Sequence, residues 1–267
     1  MNEQEHALNE EGRDLWNRKA VFWDQLHGDE GNMFHRVLVS PSVERLLDLQ
    51  AGETVLDVAC GNGTLARRLA RLGGRVYATD FSAQLIERAQ ARVQTDGEAI
   101  QYQVVDATDE MALRALGEGQ FDALTCTMGI MDIPVVAPLF RAASHLLKPH
   151  GRFVIATAHP SFNSNNPAFV TERTDEDGVL TLQHFVKIRD YLFIPPIKGA
   201  GAPNEPNPHY YYHRPLHELI RAAVEAGLVL DGMEEPAFPR PEGDSTPYWR
   251  TELWQIPVVM TLRLRKA

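Results

Sequence analysis

At 267 residues and 44% hydrophobic, the chain has enough apolar material for one large α/β domain with embellishments, and a single domain over 1–267 is expected. A formal charge of -10 argues against nucleic acid as a partner, because affinity for phosphate backbones needs clustered Lys and Arg. The acidic start, the lack of an apolar run of membrane-spanning length, and two cysteines (Cys60, Cys126) that match no zinc spacing predict a cytoplasmic protein with reduced thiols, no membrane partner and no metal.

In chain order, the first fifty residues read as two or three helices forming a helical lid, the last opened by Ser40-Pro41 as N-cap and first turn. From Thr54 onward β-rich runs alternate with helical patterns, the order that produces a parallel sheet covered on both faces. The runs are Thr54 to Ala59, Arg75 to Asp80, Ile100 to Asp106, Phe121 to Thr127 and Gly151 to Ala158. Between them Leu65, Leu69 and Leu72 share a helical face that Gly73 and Gly74 stop, and Ser82 caps a helix with the stripe Leu85, Ile86, Ala89, Val93. Residues 160–213 break the alternation: seven of the seventeen prolines and eight of the twenty-two aromatics fall there, which predicts a substrate-covering insertion, since a linker would lack the aromatics. A helix from Pro215 to Ala226, ended by Gly227, leads to two last strand-like runs, Leu228 to Glu234 and Trp254 to Leu264.

Chemistry concentrates at the strand ends. In Val55-Leu-Asp-Val-Ala-Cys-Gly-Asn-Gly-Thr-Leu-Ala66 a buried strand runs into a glycine turn where Gly61 and Gly63 admit a ligand that a β-carbon would hold off. Gly61-x-Gly63-x-x-Ala66 also fits a dinucleotide fingerprint. Asp57 separates the two readings, because a pyrophosphate gains nothing from a carboxylate there while an ammonium or sulfonium does. Asp80 ends the second run, placed to accept both hydroxyls of a ribose, and Asp106 ends the third, placed to accept from an adenine amine.

Over roughly Pro41 to the C-terminus these motifs, with Thr127-Met128-Gly129 after the fourth strand, resemble the class I S-adenosylmethionine (SAM)-dependent methyltransferase family. The resemblance implies a Rossmann-like, doubly wound sheet of seven mostly parallel strands whose last strand, Trp254 to Leu264, is antiparallel. It implies SAM as cofactor, with Asp57 holding the methionine portion beside Ala59, Gly61 and Gly63, Asp80 on the ribose, Phe81 packed on adenine or ribose, Asp106 and Ala107 at adenine, and Thr127 and Met128 beside them. Ala59 stands where the family most often has glycine. The stretch His209-Tyr-Tyr-Tyr-His-Arg-Pro-Leu-His-Glu-Leu-Ile is similar to small-molecule methyltransferases of the subgroup that includes quinone-biosynthesis enzymes.

The expected activity is transfer of a methyl group to a small-molecule acceptor by in-line displacement. His159 after the fifth strand, Asp132 after the fourth, and His213 are the candidate acid/base or acceptor contacts. His209, His213 and His217 recur every four residues, but Pro215 interrupts any helix that would align them as metal ligands. Two rival readings remain: a nicotinamide-dependent oxidoreductase, which leaves Asp57 and Asp106 without roles, and a SAM-binding regulator without catalysis. A nucleic-acid base methyltransferase would want an Asn/Asp-Pro-Pro-aromatic motif where Thr127-Met-Gly-Ile stands.

Overall fold

The computed structural model describes residues 1–92, 100–164, 166–240 and 253–266. Seven strands, β1 (Thr54–Val58), β2 (Arg75–Asp80), β3 (Gln101–Val104), β4 (Phe121–Thr127), β5 (Leu147–Ala158), β10 (Leu228–Glu234) and β11 (Val259–Lys266), form one sheet in the order β10-β11-β5-β4-β1-β2-β3. β1 to β5 pair in parallel, while β11 runs antiparallel to both β5 and β10, so the expected antiparallel last strand is present. It begins later than the sequence pattern implied, at Val259 instead of Trp254. Strand order reverses between β1 and β4, which opens a crevice at the carboxyl ends of these strands.

The period-2 alternation of the strands feeds two cores. On one face Leu56, Val58, Phe153 and Ile155 pack with Leu139 and Phe140 of α6 (Ala137–Leu146) and Leu219 of α7 (Leu216–Glu225). On the other, Val55, Val154 and Ala156 meet Val43 of α2 (Ser40–Leu47), together with Leu65 and Leu69 of α3 (Thr64–Arg71). Each such Val, Leu, Ile or Phe side chain contributes about 1.5–3 kcal/mol by leaving water. The helix ends follow their local chemistry. Ser82 Oγ accepts from Leu85 N at 3.2 Å to open α4 (Ala83–Ala91), and Asp109 Oδ1 accepts from Ala112 N at 3.0 Å to open α5 (Glu110–Arg114). Gly73 and Gly227 take positive φ just beyond α3 and α7. Leu85, Ile86 and Ala89 are buried as expected, and Val93 lies outside the described residues.

The N-terminal region corrects one expectation. α1 (Glu3–His27) is a single 25-residue helix, and a π-helical turn over His35–Val39 runs straight into α2. Ser40 therefore does not cap: its backbone is already helical and its N–H donates to His35 O, so the chain enters α2 from a preceding helical turn. α1 is fastened to the sheet domain by polar contacts. Asn9 and Arg13 reach Asp106, Asn17 accepts from Ser82 Oγ at 2.7 Å, and Asp24 pairs with Arg92 and Asn62.

The 160–213 insertion holds two hairpins. β6 (Ala168–Glu176) and β7 (Val179–Lys187) are antiparallel and largely exposed, whereas β8 (Ile197–Gly199) and β9 (His209–Tyr211) lie against the crevice.

Candidate active site

A cavity of about 500 Å³ opens at the carboxyl ends of β1 to β4, roofed by α1 and by residues 197–213. Nine of the ten residues expected to hold the cofactor line it: Asp57, Ala59, Gly61, Asp80, Phe81, Asp106, Ala107, Thr127 and Met128. Gly63 does not. It is the left-handed cap before α3, and a Cβ there would collide with the Tyr102 hydroxyl, so this glycine serves packing.

The three strand-end acids differ in what already satisfies them. Asp57, 1% exposed, takes one bond, from Thr125 Oγ1 on β4 at 2.8 Å, and its Oδ2 is buried without a partner. Burial, followed by the nearby charge of Asp80, pushes its pKa up to about 7. Asp80 accepts from Gly61 N and Ser82 N, both at 2.9 Å, and burial raises its pKa to about 6. Each oxygen of Asp80 keeps a lone-pair direction for a further donor. Asp106 is saturated: Oδ1 accepts from the N–H and hydroxyl of Thr108, and Oδ2 from Asn9 at 2.6 Å and Arg13 at 2.7 Å. Burial alone would raise its pKa, but these bonds hold it below the ordinary carboxylate value.

Two backbone features shape the floor. Ala59 (φ 55°) and Met128 (φ 54°) both sit in the left-handed region, which costs a non-glycine residue about 1–2 kcal/mol. A Cβ at Gly61 would meet no protein atom within 4 Å, leaving room for a ligand against the backbone. An orphaned carboxylate oxygen, two raised acids and an open glycine turn suit a cationic nucleoside better than a pyrophosphate.

Across the cavity, the sequence reading missed a buried cluster. Lys19 of α1, 0% exposed, donates to Glu205 Oε1 at 2.7 Å, touches His209 Nδ1, and lies 3.8 Å from the centroid of Trp16. Trp23 Nε1 donates to the same Glu205 oxygen at 2.9 Å. Burial would raise the pKa of Glu205, yet its bonds from His209, Lys19 and Trp23 hold it at about 2; burial lowers that of Lys19. Nδ1 of His209 sits between Lys19 Nζ and Glu205 Oε1, 3.1 Å from the latter, and its Nε2 faces Asp132 Oδ1 at 3.6 Å. That distance exceeds a hydrogen bond, and Asp132 Oδ1 remains buried and unpartnered with its pKa raised by burial to about 6. Arg214 holds the loop that carries Asp132 by donating to the carbonyls of Ile130, Ile133 and Pro134. Sequence separation hid this cluster: Lys19 and Glu205 lie 186 residues apart, and no local motif marks the pair.

Two of the three acid/base candidates are corrected by their hydrogen bonds. His159 does not line the cavity; Nε2 donates to Glu235 at 2.8 Å and Nδ1 accepts from Ser161 N, tying the chain after β5 to the end of β10. His213 does line it, but Nδ1 accepts from Ser164 Oγ and Nε2 donates to the Tyr191 carbonyl at 2.6 Å, so neither nitrogen is open to an acceptor. Asp132 remains. Tyr211 and Tyr212 face the cavity, while Tyr210 bonds Glu11 on the surface. Among the described residues no group of His, Cys, Asp and Glu has the makings of a metal site, and no helix is long and apolar enough to cross a membrane.

Comparison with known proteins places residues 55–151 in a family described as a methyltransferase domain. The chain is similar to the ubiquinone biosynthesis O-methyltransferase of Xanthomonas axonopodis pv. citri, 37% identical over 107 residues, 40% of this chain and 44% of that protein. The namesake from Thiobacillus denitrificans is 32% identical over 181 residues, 68% of this chain and 66% of its own length. The chain thus spans less than half the length of the first of these relatives. Among solved structures, an S-adenosylmethionine dependent methyltransferase from Mesorhizobium loti shares the fold with a TM-score of 0.65 at 23% identity, covering 84% of this chain and 96% of that one. A phosphoethanolamine N-methyltransferase from Haemonchus contortus, solved with S-adenosyl-L-methionine, has a TM-score of 0.54 at 18% identity over 84% of this chain and 45% of its own.

Proposed function

The chain belongs to the class I SAM-dependent methyltransferase family, and from that premise we propose that it transfers a methyl group from SAM to a small-molecule acceptor by in-line displacement. The observation that carries this reading is the unpartnered, buried Oδ2 of Asp57 at the end of β1, beside Asp80. A buried carboxylate left in that state calls for a cationic group, which the ammonium of SAM provides. Asp80 receives the ribose hydroxyls, Phe81 packs on the nucleoside, and Ala107 and Asp106 border the adenine, Asp106 doing so only as Asn9 or Arg13 yields a lone pair.

When bound, SAM supplies a methyl carbon activated by positive sulfur, so the protein's task is placement and exclusion of water. α1 and residues 197–213 close over the crevice, and their polar fastenings let them part and re-form. Asp132 faces the acceptor side, with His209 behind it and Arg214 fixing its loop. The family match covers residues 55–151, which build the floor; much of the acceptor wall comes from outside it, from α1 and residues 197–213.

Calorimetry with S-adenosylhomocysteine (SAH) and with NADH tests the reading. SAH is expected to bind and NADH is not, because its pyrophosphate would meet Asp57 and Asp80 with no Lys or Arg among the described cavity-lining residues. Binding of NADH alone would overturn it in favour of an oxidoreductase.

A further inference from the structure

We propose that the acceptor is a small amine, bound beside Asp132 among the rings of Trp16, Trp23 and Tyr211 and methylated on nitrogen. This rests on the methyltransferase reading and adds the class of acceptor.

The argument is the charge of the walls. Among the described residues lining the cavity there are four aspartates and no Lys, Arg or Glu. Asp106 is answered by Arg13, and Asp57 and Asp80 belong to the floor. Asp132 is left on the opposite side, its Oδ1 buried without a partner. The nearby cation, Lys19, stands behind this wall and is already held by Glu205 and the Trp16 ring. Two further wall groups, His27 and His35, are kept neutral at physiological pH, burial lowering their pKa values to about 4 and about 3.

Such a wall discriminates among nucleophiles. A carboxylate or phosphate acceptor would enter among aspartates with no Lys or Arg among the described lining residues to meet it. A phenol must pass through phenolate to react well, and no wall cation is present among the described residues to hold that anion. An amine is favoured at both stages. As an ammonium it is drawn to Asp132 and to the aromatic faces, and as the neutral nucleophile it gains positive charge on nitrogen during the transfer, which the carboxylate stabilises. The balance is simple: the ammonium gives one proton to Asp132, which passes it to water and is a carboxylate again before the nitrogen lone pair takes the methyl carbon and the C–S electron pair stays on sulfur. The raised pKa of Asp132, about 6, suits a carboxylate that receives a proton and returns it to water.

The test titrates the SAH-loaded full-length chain with benzylamine, benzyl alcohol, phenol and benzoate, followed by tryptophan fluorescence and calorimetry. Methyl incorporation from SAM is then measured, and mass spectrometry assigns the methylated atom. Benzylamine is expected to bind at least about tenfold more tightly than the other three, and Asp132→Asn is expected to erase that advantage while SAH affinity changes by less than about twofold. Phenol or benzoate binding as well as benzylamine, an amine preference that survives Asp132→Asn, or no benzylamine binding to a chain that does bind SAH would each overturn the proposal. Failure to bind SAH would instead bring down the methyltransferase reading, and this inference with it.

Discussion

The floor of the cavity and its far wall are held in place by different physics. The floor is made of residues at the ends of β1, β2 and β4, whose positions follow from sheet register: Asp57 lies opposite Thr125, and the bond between their side chains needs nothing beyond the ladder. The wall is made of groups that meet only after the chain has folded: Lys19 paired with Glu205, and Asp132 brought within 3.6 Å of His209 without a hydrogen bond. A floor of this kind tolerates substitution structurally and loses ligand affinity. The wall loses stability first.

The largest expected effect tests the wall. Lys19→Ala leaves Glu205 charged and buried with its ammonium gone, a change that typically costs about 3–5 kcal/mol, so a fall in Tm of roughly 10 °C is expected by calorimetry. Lys19→Met combined with Glu205→Gln removes both charges and should recover most of the loss. A single variant with wild-type Tm would show that the cluster is solvated and that the comparison fails. On the floor, Asp80→Ala should weaken SAH binding by about 1.5–3 kcal/mol, because a charge-assisted contact to the ribose hydroxyls is lost, with a much smaller change in Tm. Equal SAH dissociation constants for variant and wild type would move the ribose elsewhere.

The next effect is smaller and has two opposite signs. Burial raises the pKa values of Asp57 to about 7 and of Asp80 and Asp132 to about 6, so the folded apo protein holds protons that the unfolded chain releases nearer the ordinary aspartate value of 3.8. These groups therefore stabilise the fold most near the low end of that interval, and the contribution is lost as pH rises through 6 to 7. The ammonium of SAH needs the ionised acids, so SAH affinity should instead rise, by about tenfold between pH 5.5 and pH 7.5, with proton release visible in buffers of different ionisation enthalpy. Apo stability and ligand affinity moving in the same direction would contradict the placement of the cation at these acids.

The same contrast explains what could be read from sequence. Strands β2, β4 and β10 coincide with the expected runs, and the acids Asp57, Asp80 and Asp106 at or just after the ends of β1, β2 and β3 were legible because strand, turn and carboxylate are neighbours in the chain. The wall was not, since a lysine in a helix near residue 19 and a glutamate in a proline-rich loop carry no signal of each other. His159 looked catalytic from its place after β5, but its partner Glu235 comes from a distant loop and engages the ring. One local signal was available and passed over: Asp177-Gly178, both at positive φ, forms the two-residue turn that joins β6 to β7, and such a pair between β-rich runs is a strong hairpin mark.

The smallest expected effect concerns the one place where the floor departs from its family's pattern. Ala59 holds φ 55°, a conformation that costs an alanine about 1–2 kcal/mol and a glycine almost nothing. The strain is kept because its neighbour yields: a Cβ at Gly129 would come within 2.6 Å of the Ala59 methyl, so the loop after β4 remains bare where β1 is not. Ala59→Gly removes the strain and adds the backbone entropy that glycine loses on folding, about 0.5–1 kcal/mol, so a net gain of roughly 0.5 kcal/mol is expected from denaturant unfolding. Gly129→Ala should destabilise the native protein and be rescued in the Ala59→Gly background, where the colliding methyl is gone. If the two changes add without rescue, the methyl contact is not what keeps residue 129 bare, and the departure at residue 59 is a matter of backbone strain alone.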